Sequence, residues 1–517
     1  MGEHNKQIRF LFYFILIFLF ICNIFIFRVN IVHNKVLEVD EFTDLYSSWA
    51  VYDGQIPYGD FFYYHTPLWP YFGSIFFSFF GEGIFLIFIF RYVFLFVSMI
   101  SLFLIYKISR LFYSRHVSFL SSFLSSFFLI FMITTTEIRA DVVPFFLLLV
   151  AYYFILLKRQ TLLFSAISGV CFSLAFLFKQ SHIFGFFSIL IFLFLCRFGQ
   201  CNRLLRLKKR TFMFIVSFTL PIAIVFLYFH FLGGLYSLLK YAFFDTYNIM
   251  SCYPPSYTSL YSSFLANSLI WIFGITFIIY KSICFFWRFY KNRQIYLEDS
   301  LLISFYLFSV TLIINPAIYG QDILILLPFL AIYAASFLNR VIGRLCRLRN
   351  KFFISVVLLF ILGMLVIPPI FQLYNLSSMD KGVLNDQLNR IELISNLTSE
   401  KDKVFDSLGG THLFRGHASY FINRIDDKMY GCLLNDSYYD GLMGADKIGY
   451  IINNLEENSC KVIVPDFRIL DFMNISSEFA NYVGSNYVLI DFDPSQERFN
   501  DPSYSRLYVR PSTDISG

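Results

Sequence analysis

A polytopic α-helical membrane protein with about eleven spans and a C-terminal extracytoplasmic α/β domain is the fold class that three observations predict. Of 517 residues, 57% are hydrophobic and only 15% charged, with a mean hydropathy of +0.63. The apolar residues are not dispersed but gathered in runs, many near the ~18 or more needed to cross a bilayer. Beyond Pro368-Pro369 the composition turns polar and short apolar strands alternate with helical stretches.

Residues 1–9 are polar, and 10–27 are an unbroken Phe/Ile/Leu run. No small-residue cleavage site follows before Arg28-Val29-Asn30, so this is read as a retained first span rather than a signal peptide. Residues 28–83 form the first outer loop. It carries Glu38, Asp40, Glu41, Asp44, Asp53 and Asp60 beside a single Lys35, and turn signals at Asp53-Gly54, Pro57, Gly59 and Pro67. Within it, residues 66–80 are apolar but too short to span and end at Gly81-Glu82-Gly83, which suggests a juxtamembrane or re-entrant helix. The remaining spans are expected at 84–106, 117–136, 140–157, 161–178, 182–198, 211–232, 262–280, 300–315, 321–338 and 352–371.

Alternating the loops gathers about 22 Lys and Arg on one side, in the N-terminus, 107–116, 158–159, 197–210, 281–293 and 340–351, against about five opposite. This positive-inside bias places the acidic loop and the tail outside, and the net charge of +6 is topology charge; no nucleic-acid partner is expected. The chain thus divides into a membrane part, 1–371, and a tail, 372–517, with strands expected at Lys403–Phe405, Lys461–Val464 and Tyr487–Phe492 and helices at 381–397 and 446–456. Cys432 and Cys460 lie in the tail, where a disulfide and two free thiols are equally compatible with the spacing. No Cys/His cluster has zinc spacing, and no cofactor is expected.

Polar residues gather at the outer ends of several spans: Asp40-Glu41 with His65, then Glu137-Ile138-Arg139-Ala140-Asp141, then Lys179-Gln180-Ser181-His182. A charge within a span costs roughly 2.5–3.5 kcal/mol, so one is kept where it is solvated or paired. Each set also has a plain structural reading: solvated loop charge, an ion pair of Arg139 with Glu137 or Asp141, and a snorkelling Lys179.

The run Asp40-Glu41 … Gly54-Gln55-Ile56-Pro57-Tyr58-Gly59-Asp60 … Pro67-Leu68 resembles the first outer loop of the GT-C membrane glycosyltransferases, in the group containing protein O-mannosyltransferases and aminoarabinose lipid A transferases. Arg139-Ala140-Asp141 resembles that group's Arg-Pro-Asp, with alanine in place of proline. Phe178-Lys179-Gln180 resembles a further recurring element, and Tyr319 ahead of Leu326-Leu327-Pro328 resembles a late Tyr…Leu-Pro segment. Many relatives have a Lys before the Pro-Leu, where this chain has His65-Thr66.

The resemblance implies an inverting transferase of the bacterial inner membrane that moves a sugar from a polyprenyl-phosphate carrier to a saccharide, lipid or protein acceptor of the cell envelope. Asp40 would be the base that takes the acceptor proton, with Glu41 its alternate or orienting partner. Asp141 would bind acceptor or sugar hydroxyls. Arg139, Lys179, His65 and Tyr319 would hold the donor phosphate and stabilise its developing charge, and the branch resembled is metal-independent. Other classes remain open: a transporter or flippase of lipid-linked saccharides, which predicts midplane charges and broken helices, a polysaccharide polymerase, or a non-catalytic scaffold.

Overall fold

The computed structural model describes residues 2–157, 161–198, 207–245, 257–314, 318–345, 350–375, 381–406, 412–420, 447–465, 467–491 and 506–511. Two compact units emerge. Met1–His33, Arg91–Tyr228 and Pro255–Met379 form the first; Asn34–Phe90, Phe229–Pro254 and Asp380–Gly517 form the second. Compactness thus groups the first outer loop with the tail, whereas the boundary drawn from composition lies at 371/372.

Each apolar run is helical. Among the described residues six helices are long and apolar enough to cross a membrane: Leu11–Asn34, Phe85–Arg110, Gln180–Arg197, Lys208–Phe231, Ser268–Asn292 and Phe352–Asn375. Val142–Leu156, Leu162–Phe178 and Asp299–Ile314 are shorter apolar helices. The run 117–136 is two helices, Arg115–Ser126 and Leu129–Thr134. At the break the Asn267 carboxamide replaces the missing backbone bonds, donating to Phe127 O and accepting from Leu129 N–H, both at 2.9 Å, because an unsatisfied backbone group in an apolar interior is costly. The run 321–338 likewise divides into Gly320–Leu324 and Leu327–Leu345.

The first run extends further than hydropathy suggested. Arg28 does not open the outer loop; helix continues to Asn34 through a π-helical turn, Asn23–Arg28. The guanidinium is fully buried and donates to Asn23 Oδ1, Ser98 Oγ, Thr135 Oγ1 and Ser126 O, over the face of Phe131. A cation in a span is tolerated because neutral acceptors from neighbouring segments replace its hydration. Hydroxyls tie other helices in the same way: Tyr152 bonds Ser188 and Ser304 at 2.6 and 2.9 Å.

In the second unit the acidic loop is itself helical at Val39–Tyr52 and packs on the juxtamembrane helix Leu68–Phe80. Gly73 permits that approach, since a Cβ there would lie 2.0 Å from Ser48 Oγ. Trp69, fully buried, donates through Nε1 to Asp44 O at 3.0 Å. Between the helices, Gly54-Gln55-Ile56-Pro57-Tyr58-Gly59-Asp60 is a folded turn: Ile56 N–H donates to Asp60 Oδ2 at 2.7 Å and Tyr58 sits at φ 66°.

The tail carries a five-stranded sheet in the order β2-β1-β3-β5-β4. Its strands are β1 (Lys403–Phe405), β2 (Gly416–His417), β3 (Val462–Ile463), β4 (Val488–Asp491) and β5 (Arg506–Val509). β1, β2 and β3 run parallel, β5 and β4 antiparallel. The expected strands coincide with β1, β3 and β4, and the expected helices with Lys381–Leu397 and Lys447–Glu457. β2, β5 and the helices Phe467–Ile475 and Ser477–Asn486 are additional. Cys460 is a buried free thiol in the core with Phe405, Leu455, Phe472 and Phe479; Cys432 lies outside the described residues. Loop and tail interlock. The Gln387 carboxamide bonds both the N–H and the carbonyl of Leu37 at 2.8 and 3.1 Å, His417 N–H donates to Tyr46 Oη, and Tyr420 Oη donates to Tyr58 O.

Beneath Tyr46 the buried Asp406 Oδ2 lies 2.7 Å from His412 Nδ1, and Asp406 O lies 3.0 Å from His417 Nε2. Burial by itself raises the Asp406 carboxyl, but the charge and hydrogen bond of His412, then those of His417, hold it well below the usual carboxylate range. Burial pushes His412 below the ordinary imidazole value, against the pull of Asp406. An unfolded histidine takes its proton near pH 6.5, whereas folded His412 resists it, so its contribution is complete above about pH 6.5 and declines as pH falls. The Asp406 contribution is present above about pH 3.9 and lost as pH falls through its lower folded value. The denaturant midpoint of the tail is therefore expected to drop between pH 7 and pH 5, and His412→Gln to flatten that dependence. Equal slopes in variant and wild type would contradict the assignment.

Candidate functional site

The helices Val142–Leu156 and Leu162–Phe178 form a hairpin, so the start of the first and the end of the second share one end. Asp141 is the N-cap of the first and Lys179 the C-cap of the second. Each charge matches the partial charge of its helix terminus, and the two complement each other. Lys179 Nζ lies 2.5 Å from Asp141 Oδ1. Arg139, on the turn leading into the hairpin, donates through Nη1 to Glu137 Oε2 at 3.2 Å and places Nε 3.7 Å from Asp141 Oδ2. All four residues are buried.

A fifth residue, Asp322, completes the cluster and was missed by the sequence reading. Its Oδ1 lies 4.0 Å from Lys179 Nζ, and its Oδ2 accepts from Tyr319 N–H at 3.1 Å. Tyr319 caps the Gly320–Leu324 helix, so its segment reaches the cluster through Asp322. The signal was present: Asp322 is the sole charged residue at the head of an apolar run. The carboxylates of Glu137, Asp141 and Asp322 here meet the cations of Arg139 and Lys179. The arrangement is thus a preorganised ion network in which Asp141 bridges and aims the cations. Among the described residues no three His, Cys, Asp or Glu are grouped to hold a metal ion.

Asp40, Glu41 and His65 belong to the second unit. Asp40 is half-buried in the first turn of the Val39–Tyr52 helix. Glu41 is fully buried and accepts from Glu38 N–H at 3.2 Å in a capping box, which gives it work at the helix start. Lys35, also buried, pairs with Glu38 at 2.9 Å. The His65 ring packs on Tyr63 and Tyr64, and its carbonyl accepts from Tyr58 Oη at 2.5 Å; Tyr58 of the Pro57-Tyr58-Gly59-Asp60 turn therefore sets the His65 backbone.

Residues 64–229 match the family described as dolichyl-phosphate-mannose-protein mannosyltransferase. No curated protein sequence gives a significant match. Solved structures do. ArnT from Cupriavidus metallidurans bound to undecaprenyl phosphate is 12% identical, with a TM-score of 0.59 over 98% of this chain and 99% of that one. The oligosaccharyltransferase of Archaeoglobus fulgidus in the apo form is 13% identical, TM-score 0.59, over 98% and 75%. The archaeal oligosaccharyltransferase AglB from Archaeoglobus fulgidus, in complex with an inhibitory peptide and a dolichol-phosphate, is 13% identical, TM-score 0.56, over 93% and 71%. The family match spans the stretch holding His65, Arg139, Asp141 and Lys179, and the chain shares the fold of these solved structures.

Proposed function

We propose that the chain is an inverting glycosyltransferase that moves a sugar from a polyprenyl-phosphate carrier to a cell-envelope acceptor on the outer side of a bacterial inner membrane. The observation that carries this reading is the buried ion network at the shared end of the Val142–Leu156 and Leu162–Phe178 hairpin, in a fold whose solved relatives were captured with undecaprenyl phosphate and with a dolichol-phosphate.

A polyprenyl donor keeps its phosphate at headgroup depth, level with the ends of spans. Arg139 and Lys179 supply positive charge where the departing phosphate gains negative charge, and Asp141 and Asp322 keep both cations aimed before the donor arrives. The leaving group needs no general acid. Asp40 takes the acceptor hydroxyl proton as the new glycosidic bond forms. Glu41 supports it by fixing the helix start, and the first outer loop and tail, as one body, select the acceptor. Purified protein in detergent, given a labelled polyprenyl-phosphate sugar and a cell-envelope extract, is expected to release free polyprenyl phosphate and label the extract. Intact donor after prolonged incubation would refute the assignment.

A further inference from the structure

We infer that the second unit holds a saccharide-binding groove that grips an extended glycan acceptor away from the reacting hydroxyl; this rests on the transferase reading above. A cavity of about 350 Å³ opens between the end of the juxtamembrane segment and the Lys381–Leu397 helix, lined among others by Glu82, Glu392, Ser395, Asn396, Phe414 and Arg415. Its size lies within the roughly 300–1,000 Å³ of small-molecule sites.

The lining selects the occupant. Arg415 is buried and spends its donors on neutral oxygens: Thr398 Oγ1, Phe414 O, Ser395 O and Thr398 O. Among the described residues no carboxylate bonds it, so its positive charge is felt at the cavity wall. Glu82 and Glu392 bring two carboxylates to the same space, which disfavours an anionic ligand, while the guanidinium disfavours a simple cation. Hydroxyls suit both, donating to the carboxylates and accepting from guanidinium and amide. Phe414 offers an apolar face to a sugar ring, as Ile84 and Ile391 also do. Leu413 and Phe414 stand consecutively at φ 32° and 53°, a left-handed backbone that non-glycine residues adopt at a cost of about 1–3 kcal/mol each and that clusters at ligand sites.

The groove is coupled to the first outer loop. Trp49 Nε1 donates to Glu82 Oε1 at 2.7 Å, and Trp49 stands nine residues after Asp40 on one helix, about 14 Å along its axis. A ligand seated here reaches Asp40 only if it extends beyond a single sugar. The acceptor class is therefore an oligosaccharide or a glycan-bearing lipid.

The test is retention of detergent-purified full-length protein on an array of immobilised neutral and acidic oligosaccharides, from monosaccharides to pentasaccharides. The expected result is retention on neutral oligosaccharides, reduced about tenfold or more in Glu392→Ala and in Asn396→Ala, as loss of a hydrogen bond to the ligand implies. Both side chains are exposed, so neither variant threatens folding. Retention on no saccharide, preference for acidic ones, or binding unchanged in both variants would overturn the inference. Donor cleavage measured in parallel separates the two readings: cleavage with a blank array sinks the groove alone, and variant-sensitive retention without cleavage sinks the transferase alone.

Discussion

Asp40→Asn is expected to lower the rate of sugar transfer by about 10²–10⁴-fold, the range a positioned general base contributes, while the protein stays folded. The substitution preserves shape, and Asp40 is only half-buried, so little packing is at stake. The neighbouring acid behaves differently. Glu41 is buried and bonded to Glu38 N–H, so Glu41→Gln is expected to act chiefly on stability, through a weakened start to the Val39–Tyr52 helix worth about 0.5–2 kcal/mol. Initial rates of polyprenyl phosphate release and thermal melts of both variants separate the roles. Full transfer activity in Asp40→Asn would remove it from the chemistry, and a rate loss confined to Glu41→Gln would exchange the two.

Lys179→Met is expected to reduce both stability and turnover, for different reasons. The variant leaves the buried Asp141 carboxylate without the cation that stood 2.5 Å away, and breaking a buried pair by removing one partner costs about 3–5 kcal/mol. It also removes a cation from the departing phosphate, a loss of about 10²–10³-fold by analogy with other transition-state donors. The double variant Lys179→Met with Asp141→Asn distinguishes the effects. Removing both charges recovers part of the stability, because Asp141 then no longer carries a buried charge deprived of Lys179, but leaves turnover low. Melting temperature and rate, taken through the cycle wild type, two singles and double, give the answer. Recovery of turnover in the double variant would make the pair purely structural.

The apolar runs were legible residue by residue. Hydropathy and length are local sums, so 84–106, 211–232 and 352–371 could be found without knowing their neighbours, and the helices Phe85–Arg110, Leu207–Phe231 and Lys351–Asn375 stand there. Breaks within runs were not legible. The interruption at Phe127-Phe128 depends on Asn267 arriving from 140 residues away, and nothing in 117–136 announces it. Arg28 misled for the same reason: a lone arginine after an apolar run reads as a span end, unless Ser98 and Thr135 are known to await it. β2 and β5, two and four residues long, were not anticipated; β2 stands in the sheet only by pairing with β1, and β5 by pairing with β3 and β4.

What the sequence determined alone was the helical membrane class, the polar tail with its alternating elements, and the identity of the charged residues worth inspecting. Only tertiary structure decided which of those charges meet. Lys179 joins Asp141 because two helices fold back on one another, Asp322 joins them across a chain separation of more than a hundred residues, and the acidic loop becomes one compact body with the tail. Burying apolar surface is non-directional and nearly additive along the chain, so it can be read from composition. An ion pair or hydrogen bond is decided within an ångström, and that geometry exists only once distant helix ends have been brought to the same place.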